Sequence, residues 1–429
     1  MASAGTDLLH RRHRALGAGS PLFYDQPLEI VRGEGVHVFA ADGRRYLDCY
    51  NNVPHVGHCH PAVVAAVSDQ IAKLNLNTRY LHENVVAYAE RLIGTVDCDP
   101  AAVMFTCTGT EANELALRIA AHHTGAQGVI VSDFSYHGNS RQTAALTSCF
   151  ETPEPFPDWA RAVRVPDAWA DRAGRSDAEI LEAFTRSLEE AVASLAHAGF
   201  GLSAMLIDPS FANEGLPDIV PGLVLRAAAI VREAGGVMIF DEVQSGFGRT
   251  GQAMWSHQLH EVRPDLVTMG KPMGNGFPVG GVIAPRGLVE HFEDHANYFN
   301  TFGGNPVAAA AGLAVLQIIE AEGLMARAAE TSRYIVAGLQ KLQARHGVIG
   351  HVRSRGMFFG LDIVRQDQER TPDAAMAKRI VEGMKEAGVL LGRIGRHDNV
   401  LKLRPMMVFT KDDADVLLDR LGRVLGDLA

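Results

Sequence analysis

The stretches VMIFDEVQSGFGRTG, residues 237–251, and LVTMGKPMGNGFPVGG, residues 266–281, decide the fold. Each opens as a short apolar run and breaks abruptly into a charged residue among glycines, Asp241 in the first and Lys271 in the second. Runs with no polar alternation read as strands covered on both faces. Working outward, GVIVSD near residue 130 and AMLIDP near residue 206 repeat the pattern, with alanine-rich helical stretches between them. This βα alternation predicts an α/β protein with a mainly parallel sheet between helices, and ligands in such sheets gather at the carboxyl ends of the strands.

Asp241 and Glu242 follow a buried run directly, where an unpaired charge is costly. Asp241 could cap a helix or pair with Arg249; a protonated pyridine nitrogen would satisfy it equally. Lys271 would be unremarkable on an exposed turn. Behind an apolar strand, with glycines at 270, 274 and 276, it stands where backbone and ligand can approach closely. A lysine that holds an aldehyde as a Schiff base and a carboxylate that keeps a pyridine nitrogen protonated are what pyridoxal 5'-phosphate requires.

Three further pieces fit the same cofactor. VMFTCTGTEANELALRIAAHHTG (103–125) reads as strand, glycine turn and helix, with Gly109 and Thr110 at the helix start. Amides there form a phosphate cradle, although an ordinary capped helix has the same appearance. IVSDFSYHGNS (130–140) puts Tyr136 and His137 just after a strand, where an aromatic ring can lie against a planar cofactor or merely cap the core. NYFNTFGGNPVAAA (297–310) offers Thr301 and a second glycine pair near another helix start, and Gln244 is placed to reach the cofactor ring. Cradle, ring partner, carboxylate, lysine and second hydroxyl in this order make coincidence a poor account of the set.

Composition agrees. The chain has 429 residues, 47% hydrophobic and 21% charged, enough for a large core. A net charge of -10 without basic runs argues against nucleic acid or an anionic membrane as partner. Five scattered cysteines without a CxxC indicate neither disulfides nor a metal site, and the expected compartment is the cytoplasm. The opening residues carry basic side chains but no apolar signal core, and no stretch reaches the roughly 18 apolar residues of a membrane span. Residues 21–50 alternate and turn like a small antiparallel unit, NPVAAAAGLAVLQIIEAE (305–322) is too apolar for a surface helix, and GMFFGLDIV and VLKLRPMMVF return to strand.

These stretches resemble the class III aminotransferases, the ornithine or ω-aminotransferase group of pyridoxal-phosphate enzymes of fold type I, over nearly the whole chain. The resemblance implies a large cofactor domain with a mainly parallel, seven-stranded sheet over residues 56–310. It also implies a small α+β domain built from both ends, residues 1–55 and 311–429. Lys271 would be the Schiff-base lysine, Asp241 the pyridine partner and Gln244 a neighbour of the ring oxygen. Gly109 and Thr110 would bind the phosphate, Tyr136 would cover the ring with His137 beside it, and Thr301 would reach the cofactor of the other subunit in a homodimer with shared sites. Whether dimers pair into tetramers stays open.

Within the group, NNVPHVGHCHP (51–61), NTRYLHENVVAYAERL (77–92) and KPMGNG are most similar to a branch that holds ethanolamine-phosphate and phosphohydroxylysine phospho-lyases beside bacterial aminotransferases. Two reactions therefore compete: transfer of an amino group from a small amine or amino acid to a 2-oxo acid or aldehyde, and elimination of phosphate from a phosphorylated amino alcohol. Both begin with proton removal by Lys271. Arg404 resembles the arginine with which family aminotransferases grip a carboxylate, whereas vertebrate phospho-lyases carry lysine there, so it favours transamination. Asn51, Asn52 and Arg79 fall where the family builds its substrate pocket, although Arg79 could simply pair with Glu83. One departure is LIDPSFANEGLP (206–217), with Asp208 where the family has glutamate. This puts in doubt any arginine switching around Glu214 or Arg249.

Overall fold

The computed structural model describes residues 4–98 and 100–428. Its centre is a seven-stranded sheet in the order Ala101–Thr106, Gly280–Pro285, Leu266–Met269, Val237–Asp241, Ala204–Ile207, Val129–Ser132, Ala160–Val163. Gly280–Pro285 runs antiparallel to both its neighbours, and the other contacts are parallel. The runs VIVS, AMLI, VMIFD and LVTM are buried at every position, which is why their sequences show no alternation.

Alternate residues of these strands feed two separate cores. Val129, Val131, Leu206 and Ile239 pack with the helix Gly109–Thr124 on one face. Ile130, Met205, Met238 and Phe240 pack with the helices Asp177–His197 and Leu223–Glu233 on the other. The alternation of side chains across a strand thus sandwiches the sheet between helical layers.

Near the start of the chain, Ile30–Glu34, His37–Ala40 and Arg45–Asp48 form an antiparallel meander. Val389–Leu390 joins its far side in parallel, so segments from both ends of the chain share one sheet. A third sheet holds Ile349–Ser354, Phe359–Ile363, Val400–Leu403 and Gly392–Ile394. The apolar helix Pro306–Ala321 starts with proline after an Asn305 cap. It is buried along most of its length beside the helices Pro61–Ile71 and Glu83–Ile93. Gly312 is required there, because a Cβ would come within 2.2 Å of the buried Tyr88 ring. Among the described residues no single helix is long and apolar enough to cross a membrane.

Candidate active site

The strands Ala101–Thr106, Ala204–Ile207, Val237–Asp241 and Leu266–Met269 end on one edge of the sheet, where they deliver the 107–110 turn, Asp208, Asp241 and Lys271. A cavity of about 300 Å³ opens there. Gly109, Thr110, Tyr136, His137, Asp241, Gln244 and Lys271, all singled out from the sequence, line it together.

The turn at its base is shaped by close packing. Thr108 caps the helix Gly109–Thr124 by accepting from the Glu111 amide at 3.1 Å, and Glu111 accepts from the Cys107 amide at 2.6 Å. The Ala112 amide bonds the Thr108 carbonyl, which leaves the amides of Gly109 and Thr110 to a ligand. A side chain at 109 would meet Val243 at 2.7 Å, and one at Gly138 would meet the Thr110 hydroxyl at 2.8 Å. Only glycine lets these segments touch.

Asp241 is held by a buried network. Its Oδ2 accepts from Asn113 Nδ2 at 2.8 Å and lies 2.8 Å from His137 Nδ1, and its Oδ1 accepts from the Val243 amide at 3.1 Å. Asn113 also donates to the His137 carbonyl at 2.7 Å and accepts from Thr268 Oγ1 at 2.5 Å. The carboxylate is thus oriented from three sides, and among the described residues it meets no Lys or Arg side chain. Arg249 is not its partner: the guanidinium is fully buried elsewhere, bound to the carbonyls of Met357 and Pro405 and to His55.

Lys271 follows its strand with φ of +20°, a strained conformation for a side chain with a Cβ. Burial lowers its basicity, and Arg404 adds to this, while Asp241 and Asp208 pull the other way. Burial and the neighbouring Asp241 raise Asp208 to about 7, although it accepts from the amides of Ser210 and Ala212. Glu214 is raised as well, chiefly by burial, and accepts from the Ser132 hydroxyl. Burial thus favours the protonated carboxyl at Asp208 and Glu214 and the neutral amine at Lys271.

None of the residues predicted to contact substrate is in the lining of this cavity. Arg404 is buried just past the strand Val400–Leu403, donates to Gln244 Oε1 at 2.8 Å and leaves its Nε unpaired. Its guanidinium lies 4.6 Å from the Tyr50 ring centroid and 5.8 Å from that of Phe358. Asn51 is tied to Asp48, whereas Asn52 is buried with an unpaired Nδ2. Arg79 stacks on Phe299 at 3.8 Å and forms no pair with Glu83, and Thr301 is exposed, four residues before the Asn305 cap.

Sequence reasoning missed two important groups. Asn113 lies in the first turns of the helix Gly109–Thr124, and nothing local in the sequence links it to Asp241. Lys402 was overlooked although it stands two residues before Arg404, the spacing that puts both on one face of a strand. It is buried, 5.4 Å from the same Phe358 ring, with no carboxylate within 4.0 Å among the described residues. Burial and Arg404 hold its ammonium well below the usual lysine range, with Asp208 opposing.

Pyridoxal phosphate fits this donor set: free helix amides for its phosphate, an oriented buried carboxylate lacking a Lys or Arg partner, a half-buried aromatic ring and a buried lysine around one cavity. The profile of the class-III aminotransferases matches residues 23–425. The Drosophila melanogaster protein named alanine–glyoxylate aminotransferase 2-like is 38% identical, over 96% of this chain and 85% of its own length. The Caenorhabditis elegans ethanolamine-phosphate phospho-lyase homolog 1 is 34% identical, over 98% and 93%. Among solved structures, an Arthrobacter phospholyase in complex with phosphoethanolamine is 50% identical with a TM-score of 0.96, covering 99% of this chain and 100% of that one.

Proposed function

Since this chain belongs to the class-III aminotransferase family of pyridoxal-phosphate enzymes, we propose that it acts as a phospho-lyase. Its substrate would be ethanolamine phosphate or a closely related phosphorylated amino alcohol, cleaved with one water to phosphate, ammonia and an aldehyde. The observation that carries this reading is the pair of buried basic side chains Lys402 and Arg404, which lie 5.4 and 5.8 Å from the Phe358 ring centroid and have no carboxylate partner among the described residues. A carboxylate substrate needs one guanidinium fork, whereas a phosphate dianion rewards two charged donors. The 50% identity to a phospholyase supports the same choice.

The cofactor, when bound, supplies an aldehyde that links to the substrate amine and a ring that takes up electrons. The protein does the rest. Gly109 and Thr110 would hold the cofactor phosphate by their amides, and Tyr136 would cover the ring. Asp241, braced by Asn113 and His137, would keep a proton on the pyridine nitrogen. Lys271, whose basicity burial has lowered, takes the proton from the substrate carbon. Lys402 and Arg404 hold the departing phosphate and offset the charge that develops on its oxygen. Exposed apolar residues around Arg79 and Thr301, among them Tyr80, Leu81 and Phe302, support a homodimer in which Thr301 reaches the partner's cofactor.

Transamination is the second reading. It is favoured by the unpaired Nε of Arg404, which offers one guanidinium edge to a carboxylate. The two are separated by incubating cofactor-loaded protein with ethanolamine phosphate and, in parallel, with alanine plus a panel of 2-oxo acids and aldehydes. The expected outcome is continuous phosphate release with the cofactor returned to its starting absorbance. Pyridoxamine phosphate formed from alanine, with no phosphate released from ethanolamine phosphate, would replace the lyase by an aminotransferase.

A further inference from the structure

We infer that His122, His291 and His295 form a surface site for one divalent transition-metal ion of the zinc type, separate from the catalytic cavity. One ligand nitrogen from each of the three rings lies within 4.8 Å of the other two. Ring centroids are 4.8 Å apart for His122 and His291, 5.0 Å for His122 and His295, and 5.0 Å for His291 and His295. Three imidazoles from two elements converge on one point.

The local structure prepares them as ligands. His291 is in the last turn of the helix Arg286–Glu293. His295 follows in a turn closed by the bond from the His295 amide to the Phe292 carbonyl at 3.2 Å. His295 Nδ1 lies 2.9 Å from the His291 carbonyl. A carbonyl only accepts, so Nδ1 carries the proton and Nε2 presents its lone pair outward. Such a bond commonly sets the tautomer of a metal-bound histidine.

His122 comes from the last turn of Gly109–Thr124. Both helices therefore direct their carboxyl ends, the negative ends of their dipoles, at the cluster, which favours a bound cation. No ion pair explains the grouping. His58, His60, His137, His257 and His351 each meet a carboxylate, and none of these three does among the described residues.

Neutral nitrogen donors suit zinc, copper and nickel and do not suit magnesium or calcium. Zinc–nitrogen bonds of about 2.0–2.1 Å set tetrahedral ligands roughly 3.4 Å apart. The rings must close by about 1–1.5 Å, within reach of χ rotation because His291 and His295 are exposed. The fourth position is left to water. The helix that carries His122 begins at Gly109, about 20 Å away at 1.5 Å per residue. An ion here would brace the far end of that helix against its neighbour, outside the catalytic chemistry.

The test uses the cofactor-loaded full chain titrated with zinc chloride by calorimetry, and its thermal unfolding with and without zinc. The expected result is one zinc per chain with a raised midpoint. His291→Ala and His295→Ala should each weaken binding by at least about tenfold, while His123→Ala, adjacent to the cluster but outside it, should bind as the parent does. Unchanged cofactor absorbance in each variant establishes that it is folded. Absence of zinc uptake, or uptake of equal affinity in the double variant of His291 and His295, overturns the assignment.

Discussion

Replacing Lys402 with methionine separates the cost of a buried charge from its use. The side chain is 4% exposed, and its ammonium faces the Phe358 ring rather than a carboxylate. Its basicity is held down by burial and then by Arg404, so in the cofactor-free protein the charge opposes folding. Methionine keeps most of the volume. Replacing buried ionic groups with apolar ones of similar size is often stabilising by about 1–4 kcal/mol, and we expect Lys402→Met to raise the unfolding midpoint.

Catalysis should move the other way. Removing one partner from a buried charge pair costs about 2–5 kcal/mol, which at about 1.4 kcal/mol per factor of ten is a loss of roughly 30-fold to several thousand-fold in kcat/KM for ethanolamine phosphate. Alanine, which brings no phosphate, should lose less than about tenfold on the same scale. The assay is initial-rate phosphate release at several substrate concentrations, beside thermal unfolding of the same preparations. A variant that unfolds earlier yet keeps kcat/KM within about threefold of the parent would show that Lys402 is structural and remove the main support for the lyase reading.

Three other outcomes are expected. Lys271→Ala should lose nearly all turnover and the visible absorbance of the lysine-linked cofactor; full activity would refute its role. Asp208 stands at about 7 in the fold against an ordinary 3.8. The folded chain then binds a proton that the unfolded chain lacks between these values, and the stability this contributes is full below about pH 4 and lost as pH rises through 7. Asp208→Asn fixes the neutral form, so the cofactor-free variant should gain on the parent as pH rises from about 4 to about 7 and keep a constant advantage above that, and a pH-independent difference in unfolding midpoint across that range would contradict this. Gly312→Ala drives a methyl against Tyr88 and should destabilise by about 1–3 kcal/mol in denaturant unfolding. Gly287→Ala, in a helix with nothing within 4 Å, should instead be neutral or stabilising.

The strands that carry Asp241 and Lys271 were legible because burial on both faces leaves an unbroken apolar run. Two others were not. Ala160–Val163 is a short edge strand buried only at its two ends, and Gly280–Pro285 hides its start in a glycine pair that reads as a turn. The cradle was legible because glycine and hydroxyl adjoin in sequence. Asn113 was not, because the bond that gives it meaning reaches across 128 residues. Lys402 was missed, although strand periodicity alone places it on the same face as Arg404. Arg79 and Thr301 lie on the surface of the single chain, so a site shared between subunits would bring them into use.

The reversed strand Gly280–Pro285 also bears on when the site can form. It is the sole sheet neighbour of the edge strand Ala101–Thr106, and it sets Gly280 opposite Thr106. The phosphate turn is therefore anchored by residues made nearly two hundred positions later, through the same hairpin that carries Lys271. A chain emerging from the ribosome can pair Val129–Ser132 with Ala160–Val163 early, yet the cradle has no strand to dock on until residue 285 is clear. Cofactor competence is thus expected late in synthesis, in a single step that brings the amine and its phosphate anchor into register together.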